Sequence, residues 1–323
     1  MMTFRKFPSI FYKEAPKFSS PERMDNFCEV SPRDIPKLPG MISEAEGRYL
    51  YWLTSEQYRG EGAVVEIGSW LGRSTTYLAS GLRSSDVGAK LQCFDHFRWS
   101  KNWYYTTHID MPDKADFLPI FLNNIGRYRD IIEVHRTAMR DLQWTGEPVE
   151  ILFLDAPKRL RDISSVLRAF AKYLIPGISI MVWQDFLHGP SFEIPASMSS
   201  LYTYVRPLHV ITSGSTVSFR VSRVFPERKV SKKALSFWHW SESFAKRVWE
   251  AWQVVVPEER RGLFRFGLAM LLHDIGEFKA AQDITESLAH DSLLGTKMSL
   301  WKNTTLFDRY RMLFEAFGAI RSS

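Results

Sequence analysis

The chain has 323 residues, of which 45% are hydrophobic and 24% charged, so it can bury a sizeable core and is not a disordered tract. Its net charge of +6 is spread thinly, with no basic block; this disfavours nucleic acid as the main partner and leaves anionic substrates or membrane surfaces open. The two cysteines, Cys28 and Cys93, are far apart in the chain, which argues against a disulfide framework and fits a reducing, cytoplasmic setting.

Residues 1–40 are rich in Pro, Lys and Phe without a clear period, and read as an arm over the surface. Early positive charge there is followed by no apolar stretch, so no signal peptide is expected. No run approaches about 18 consecutive apolar residues, so no transmembrane helix is expected. The core, residues 41–226, opens with a helix capped by Ser43 ahead of acidic residues. A strand over 63–67 then leads through a glycine-rich turn into a helix over 74–82. Further strands are expected at 91–94, ending at Asp95, at 131–135, and at 150–154, ending at Asp155. A helix over 162–174 and a strand over 178–183, ending near Asp185, follow. Segments 208–212 and 216–220 alternate around Ser213–Gly214–Ser215 and read as a hairpin. Strands alternating with helices and closed by a hairpin predict an α/β fold with a mostly parallel sheet and one antiparallel C-terminal strand. Residues 227–323 read as a helical extension. The stretch HDIGEFKAAQDITESLA within it has the spacing of a single helical hairpin. Trp238, Trp249 and Trp252 fall on helical spacing and read as a packing face or an interface for homo-oligomers.

The segment VVEIGSWLGRSTTYLASGL, residues 64–82, carries the functional argument. Gly68 and Gly72 let the backbone turn tightly and approach a ligand. Ser74 and Thr75 can cap the following helix, whose N-terminus suits an anion. The spacing is G-x-x-x-G, unlike the G-x-G-x-x-G that cradles a pyrophosphate, and no P-loop is present. Glu66, two residues before the first glycine, would repel a pyrophosphate and suits an α-ammonium group. Asp95 at the end of the next strand can hydrogen-bond both hydroxyls of a ribose. Together these residues point to a nucleoside joined to an amino acid.

The segment resembles motif I of the class I methyltransferases, most closely the small-molecule, cation-dependent O-methyltransferase type, over roughly residues 40–222. The resemblance implies a Rossmann-like core and S-adenosylmethionine as cofactor, with Glu66, Gly68, Trp70, Gly72, Ser74 and Asp95 lining its site. His96, directly after Asp95, would flank the adenine or simply pack there. Thr137 and Ala138 would lie near the adenine.

By the same resemblance, LFLDAPK (152–158) is similar to the D-A-D-K run of those enzymes. Asp155 would match a metal ligand and Lys158 the general base on a substrate hydroxyl. Asp185 would be a second ligand for Mg²⁺, although the expected Asp-Asn pair is here Asp185–Phe186. His188 lies close enough to the same edge to reach substrate. Each of these has a plainer reading: a solvated lysine, helix-capping or loop-bonding aspartates, a packed histidine. The aromatic run FRWSKNWYY (97–105) reads as a lid or as local core. The expected activity is methyl transfer to a hydroxyl of a small-molecule acceptor such as a sugar or natural product. The alternatives are a protein or nucleic-acid acceptor, a non-catalytic module that kept the cofactor pocket, and a nicotinamide-dependent oxidoreductase.

Overall fold

The computed structural model describes residues 14–23, 32, 35–85, 87–101, 109–302 and 304–321. Its framework is one sheet of eight strands among the described residues: β1 Glu22–Arg23, β2 Ala63–Ile67, β3 Leu91–Asp95, β4 Ile132–Arg136, β5 Val149–Leu154, β6 Ile180–Trp183, β7 Val205–Val210 and β8 Val217–Val221. The spatial order is β1-β7-β8-β6-β5-β2-β3-β4. All neighbours pair parallel except β8, which runs antiparallel to both β6 and β7. The central strands β2 and β5 are buried at every position. Apolar runs buried on both faces are what a parallel sheet covered by helices requires.

The helices of the core are α1 Glu44–Trp52, α2 Arg73–Ser84, α3 Leu118–Asn124, α4 Leu160–Phe170 and α5 Glu193–Ser199. Ser43 caps α1 in a capping box with Glu46: its hydroxyl accepts from the Glu46 N–H, and the Glu46 carboxylate accepts from the Ser43 N–H at 2.8 Å. The α1 helix runs directly into a π-turn over Leu53–Gln57. The α4 helix ends at Phe170, short of the expected 174, because Ala171–Tyr173 tightens into a 3-10 turn. The expected strands lie within a few residues of the observed ones. The hairpin is longer at its first arm and turns through 211–216. Strand β1 was not anticipated; two polar residues pair with His209 and Val210 at the sheet edge.

Beyond β8 come α6 Lys232–Leu235, α7 Glu242–Trp252, α8 Arg261–Asp274, α9 Phe278–Ser287, α10 Ser292–Trp301, α11 Thr305–Arg309 and α12 Arg311–Arg321. The expected helical hairpin is α8 and α9, joined through Gly276 at φ 88°. These helices share one continuous apolar core with the sheet. Trp252 is fully buried at the seam, stacked 3.5 Å from Phe18 and edge-on to Phe186 and Phe219. Its indole N–H donates to Ser199 Oγ at 2.8 Å. Trp249 is equally enclosed and donates to the Phe264 carbonyl, whereas Trp238 is half exposed. Trp252→Ala should lower the unfolding free energy by about 3–5 kcal/mol, because it removes a large buried side chain and leaves a cavity. Urea denaturation measures this directly. A loss near zero would mean that the helices and sheet do not fold as one unit.

No helix among the described residues is long and apolar enough to cross a membrane.

Candidate active site

From β2 the chain winds outward to β3 and β4, then returns to the other side of β2 to lay down β5 and β6. That reversal opens a crevice beyond the carboxyl ends of β2 and β5, where open α/β sheets bind ligands. A cavity of about 240 Å³ lies there. Its walls come from four strand ends: Gly68 and Trp70 after β2, Phe94 and Asp95 on β3, Thr137 and Met139 after β4, and Asp155 and Lys158 after β5.

The turn after β2 is tight. Gly68 has φ 95° and Gly72 φ 92°, both conformations that glycine adopts without cost. A Cβ on Gly68 would meet the Ala156 Cβ at 2.6 Å, so only a bare backbone lets the turn approach β5 so closely. Trp70 lies between the glycines in the left-handed region, φ 41°, a strained position for a bulky residue. Its N–H donates to Asp95 Oδ2 at 3.0 Å. The other carboxylate oxygen of Asp95 accepts from the Phe97 N–H at 2.8 Å. Two backbone donors therefore fix this carboxylate at the mouth of the cavity, with lone pairs left for a ligand's hydroxyls. His96 lines the same mouth and accepts the Arg98 N–H through Nδ1. Apolar walls flank the carboxylate: Ile67, Phe94, Met139 and Leu142, with Thr137 among them. The last two apolar residues were not picked out from sequence; they follow Thr137 in a segment without strand or helix periodicity. Ala138, which precedes the 3-10 turn Met139–Asp141, does not line the cavity.

Glu66 is placed differently from the expectation of a direct contact. It is fully buried beneath the turn and does not line the cavity. Its carboxylate accepts from Ser74 Oγ at 2.5 Å, Thr75 Oγ1 at 2.6 Å and the Cys93 thiol at 3.3 Å. Burial pushes its pKa up, and the serine and threonine hydroxyls pull it back only in part. Ser74 and Thr75 thus spend their hydroxyls on Glu66. Gly72 is the residue preceding α2, and no side-chain hydroxyl caps that helix. Gly72 and Ser74 also lie outside the cavity wall. Glu66, Ser74 and Thr75 tie β2 to α2 and so hold the shape of the turn.

At the other end Lys158, Asp155 and Asp185 form an ion cluster. The Lys158 ammonium pairs with Asp185 and lies 4.0 Å from Asp155 Oδ1. Lys158 keeps 39% of its side chain exposed, against 17% and 15% for the two carboxylates. Burial raises the Asp155 pKa to about 7, with Lys158 opposing and the Asp185 charge adding to the rise. For Asp185, burial pushes upward, but Lys158 and then His188 outweigh it, and the net shift is downward. His188 sits against the edge of Trp301 from α10, and burial lowers its pKa to about 4. At neutral pH it is an uncharged imidazole. Asp185 and His188 stand behind Lys158, outside the cavity wall.

These residues do not fit the expected Mg²⁺. The space between Asp155 and Asp185 is taken by the Lys158 ammonium, and no group of three or more His, Cys, Asp or Glu side chains able to hold a metal occurs among the described residues. A hard cation wants about six oxygens, and a lysine between two carboxylates already balances their charge. Of the aromatic run after β3, Phe97 and Trp99 are core, Trp99 stacking on Trp70 at 6.2 Å. Residues 102–105, the end of the expected lid, lie outside the described residues, as does Cys28.

Residues 65–186 match a family profile described as a methyltransferase domain. No curated protein matches the sequence. Solved structures that match include a protein of Corynebacterium glutamicum, 12% identical over 57% of this chain and 83% of that one, TM-score 0.39. The SAH-bound methyltransferase PaMTH1 of Podospora anserina is 14% identical over 57% and 80%, TM-score 0.37. The mitomycin 7-O-methyltransferase MmcR is 10% identical over 55% and 56%, TM-score 0.34.

Proposed function

We propose that the chain moves a methyl group from S-adenosylmethionine to a hydroxyl of a small-molecule acceptor, a reading supported by the match of residues 65–186 to a methyltransferase-domain profile. The observation that carries this reading is the Asp95 carboxylate, held by two backbone N–H groups at the mouth of an apolar-walled cavity whose far side is Asp155 and Lys158. The cofactor supplies an electrophilic methyl group. Asp95 would receive the ribose hydroxyls, and Phe94, Met139 and Leu142 would enclose the adenine with Thr137 and His96 beside it. The backbone turn at Gly68, held in shape by Glu66 through Ser74 and Thr75, would pass under the amino-acid portion.

The proton of the acceptor hydroxyl has to leave as its oxygen takes the methyl group. Lys158, paired with Asp185, is held as an ammonium and has no lone pair to offer. Asp155, with its pKa raised to about 7, is matched to neutral pH and lines the cavity. Asp155 therefore accepts the proton, and Lys158 orients it and tempers its basicity. Asp185 anchors Lys158, and neutral His188 packs behind it.

The test is methyl transfer from labelled S-adenosylmethionine to a panel of catechols and sugars, followed across pH. Below about pH 7 Asp155 is protonated and cannot act, so activity should fall as pH drops through that value. Lys158→Met removes the charge that pulls the Asp155 pKa down, so the acid limb should move to higher pH. A limb that stays in place would show that Asp155 is not the titrating group.

A further inference from the structure

A second cavity, about 400 Å³ and on the surface, lies next to the first, and Leu142 lines both. One wall is the 3-10 turn after β4 and the strand of chain beyond it, contributing Arg140 and Trp144. The facing wall is the end of α4, contributing Ser165 and Arg168, and the 3-10 turn that continues it, contributing Lys172. Among the described residues, no acidic side chain lines this cavity.

The charges here are poorly balanced. Arg168 and Lys172 are four residues apart on one helical face, a spacing at which like charges repel. Arg168 is exposed, and no ion pair is formed by it among the described residues. Lys172 lies 4.9 Å over the ring of Tyr173. Among the described residues Arg140 pairs with its neighbour Asp141 at 3.3 Å, and both are largely exposed, so that pair contributes little. Trp144 is half-buried and pinned by its indole N–H to the Glu147 carbonyl at 2.9 Å, which makes it a fixed flat wall. Two arginines, a lysine and a rigid aromatic face line one concavity.

We propose that this cavity binds a small phosphate-bearing anion, gripped by Arg140, Arg168 and Lys172 with Trp144 alongside. Guanidinium groups meet phosphate oxygens in bidentate fashion, and an anion would relieve the repulsion between the cations. A compact ligand suits a bounded cavity on a chain whose positive charge is otherwise thinly spread. The site does not depend on the methyl-transfer reading.

The test is calorimetric titration of the whole chain with pyrophosphate, at low salt and again at about 0.15 M salt. Saturable one-to-one binding that weakens with salt is expected. The double variant Arg168→Ala/Lys172→Ala should bind at least about tenfold more weakly, since two charge-assisted contacts are lost. Its melting temperature should match the parent's, because both side chains are exposed. Arg161→Ala, on the same helix but outside the cavity, should bind as the parent does. A flat titration, or a folded double variant that binds as tightly as the parent, overturns the proposal. So does saturable binding of single-stranded RNA where pyrophosphate gives none.

Discussion

Asp155→Asn should lower turnover by about 10²–10⁴-fold, the usual contribution of a positioned proton acceptor. The substitution keeps the shape and size of the side chain and removes only its capacity to take a proton. Affinity for S-adenosylhomocysteine should be little changed, so the loss should fall on turnover and not on cofactor binding. The pH profile separates this from a folding defect. The parent's activity should climb to a plateau as pH rises through about 7, because burial holds the Asp155 carboxyl protonated below that point. The variant should show no such limb. Steady-state rates between pH 5.5 and 9 make the comparison, and an intact limb in the variant would assign the titration to another group.

Asp95→Ala should weaken S-adenosylhomocysteine binding by roughly 10–100-fold, the equivalent of about 1.5–3 kcal/mol for hydrogen bonds to a charged acceptor. Part of the loss comes from the ligand's hydroxyls. Another part comes from the protein, because the N–H groups of Trp70 and Phe97 lose their shared acceptor. Trp70 holds a left-handed conformation that Asp95 helps to fix, so the turn between Gly68 and Gly72 should loosen as well. Asp95→Asn, which can still accept one of the two backbone bonds, should lose less. Calorimetry on the two variants gives the order directly; equal affinities for parent and alanine variant would remove Asp95 from the binding site.

The core of the fold could be read from sequence wherever a short apolar run meets a glycine turn or an aspartate. Residues 63–67 match β2 at both ends, and β3 and β5 end at or beside the expected aspartates. The Ser43 cap was equally visible, since a serine ahead of acidic residues can satisfy the free N–H groups of a helix start; the structure adds the reciprocal bond to Glu46. Strand β1 was hidden because Glu22–Arg23 carries no apolar pattern, and its pairing depends on an edge supplied nearly two hundred residues later. The placement of Glu66 was hidden for a different reason. A strand buried on both faces gives no alternation from which to tell which side chains point toward the cleft. Ser74 and Thr75 were plausible helix caps, and their hydroxyls could equally reach back under the turn, as they do. The Mg²⁺ expectation finds no support because of an ion pair: sequence places Asp155, Lys158 and Asp185 at the same sheet edge, but only the folded arrangement shows the ammonium paired with Asp185 and close to Asp155.

Calorimetric titration of the intact chain with S-adenosylhomocysteine, and separately with NAD, tests most directly what ligand the crevice beyond β2 and β5 receives. Saturable binding of S-adenosylhomocysteine, weakened by Asp95→Ala, with no heat from NAD, is the predicted result. Binding of NAD with no response to S-adenosylhomocysteine would contradict it.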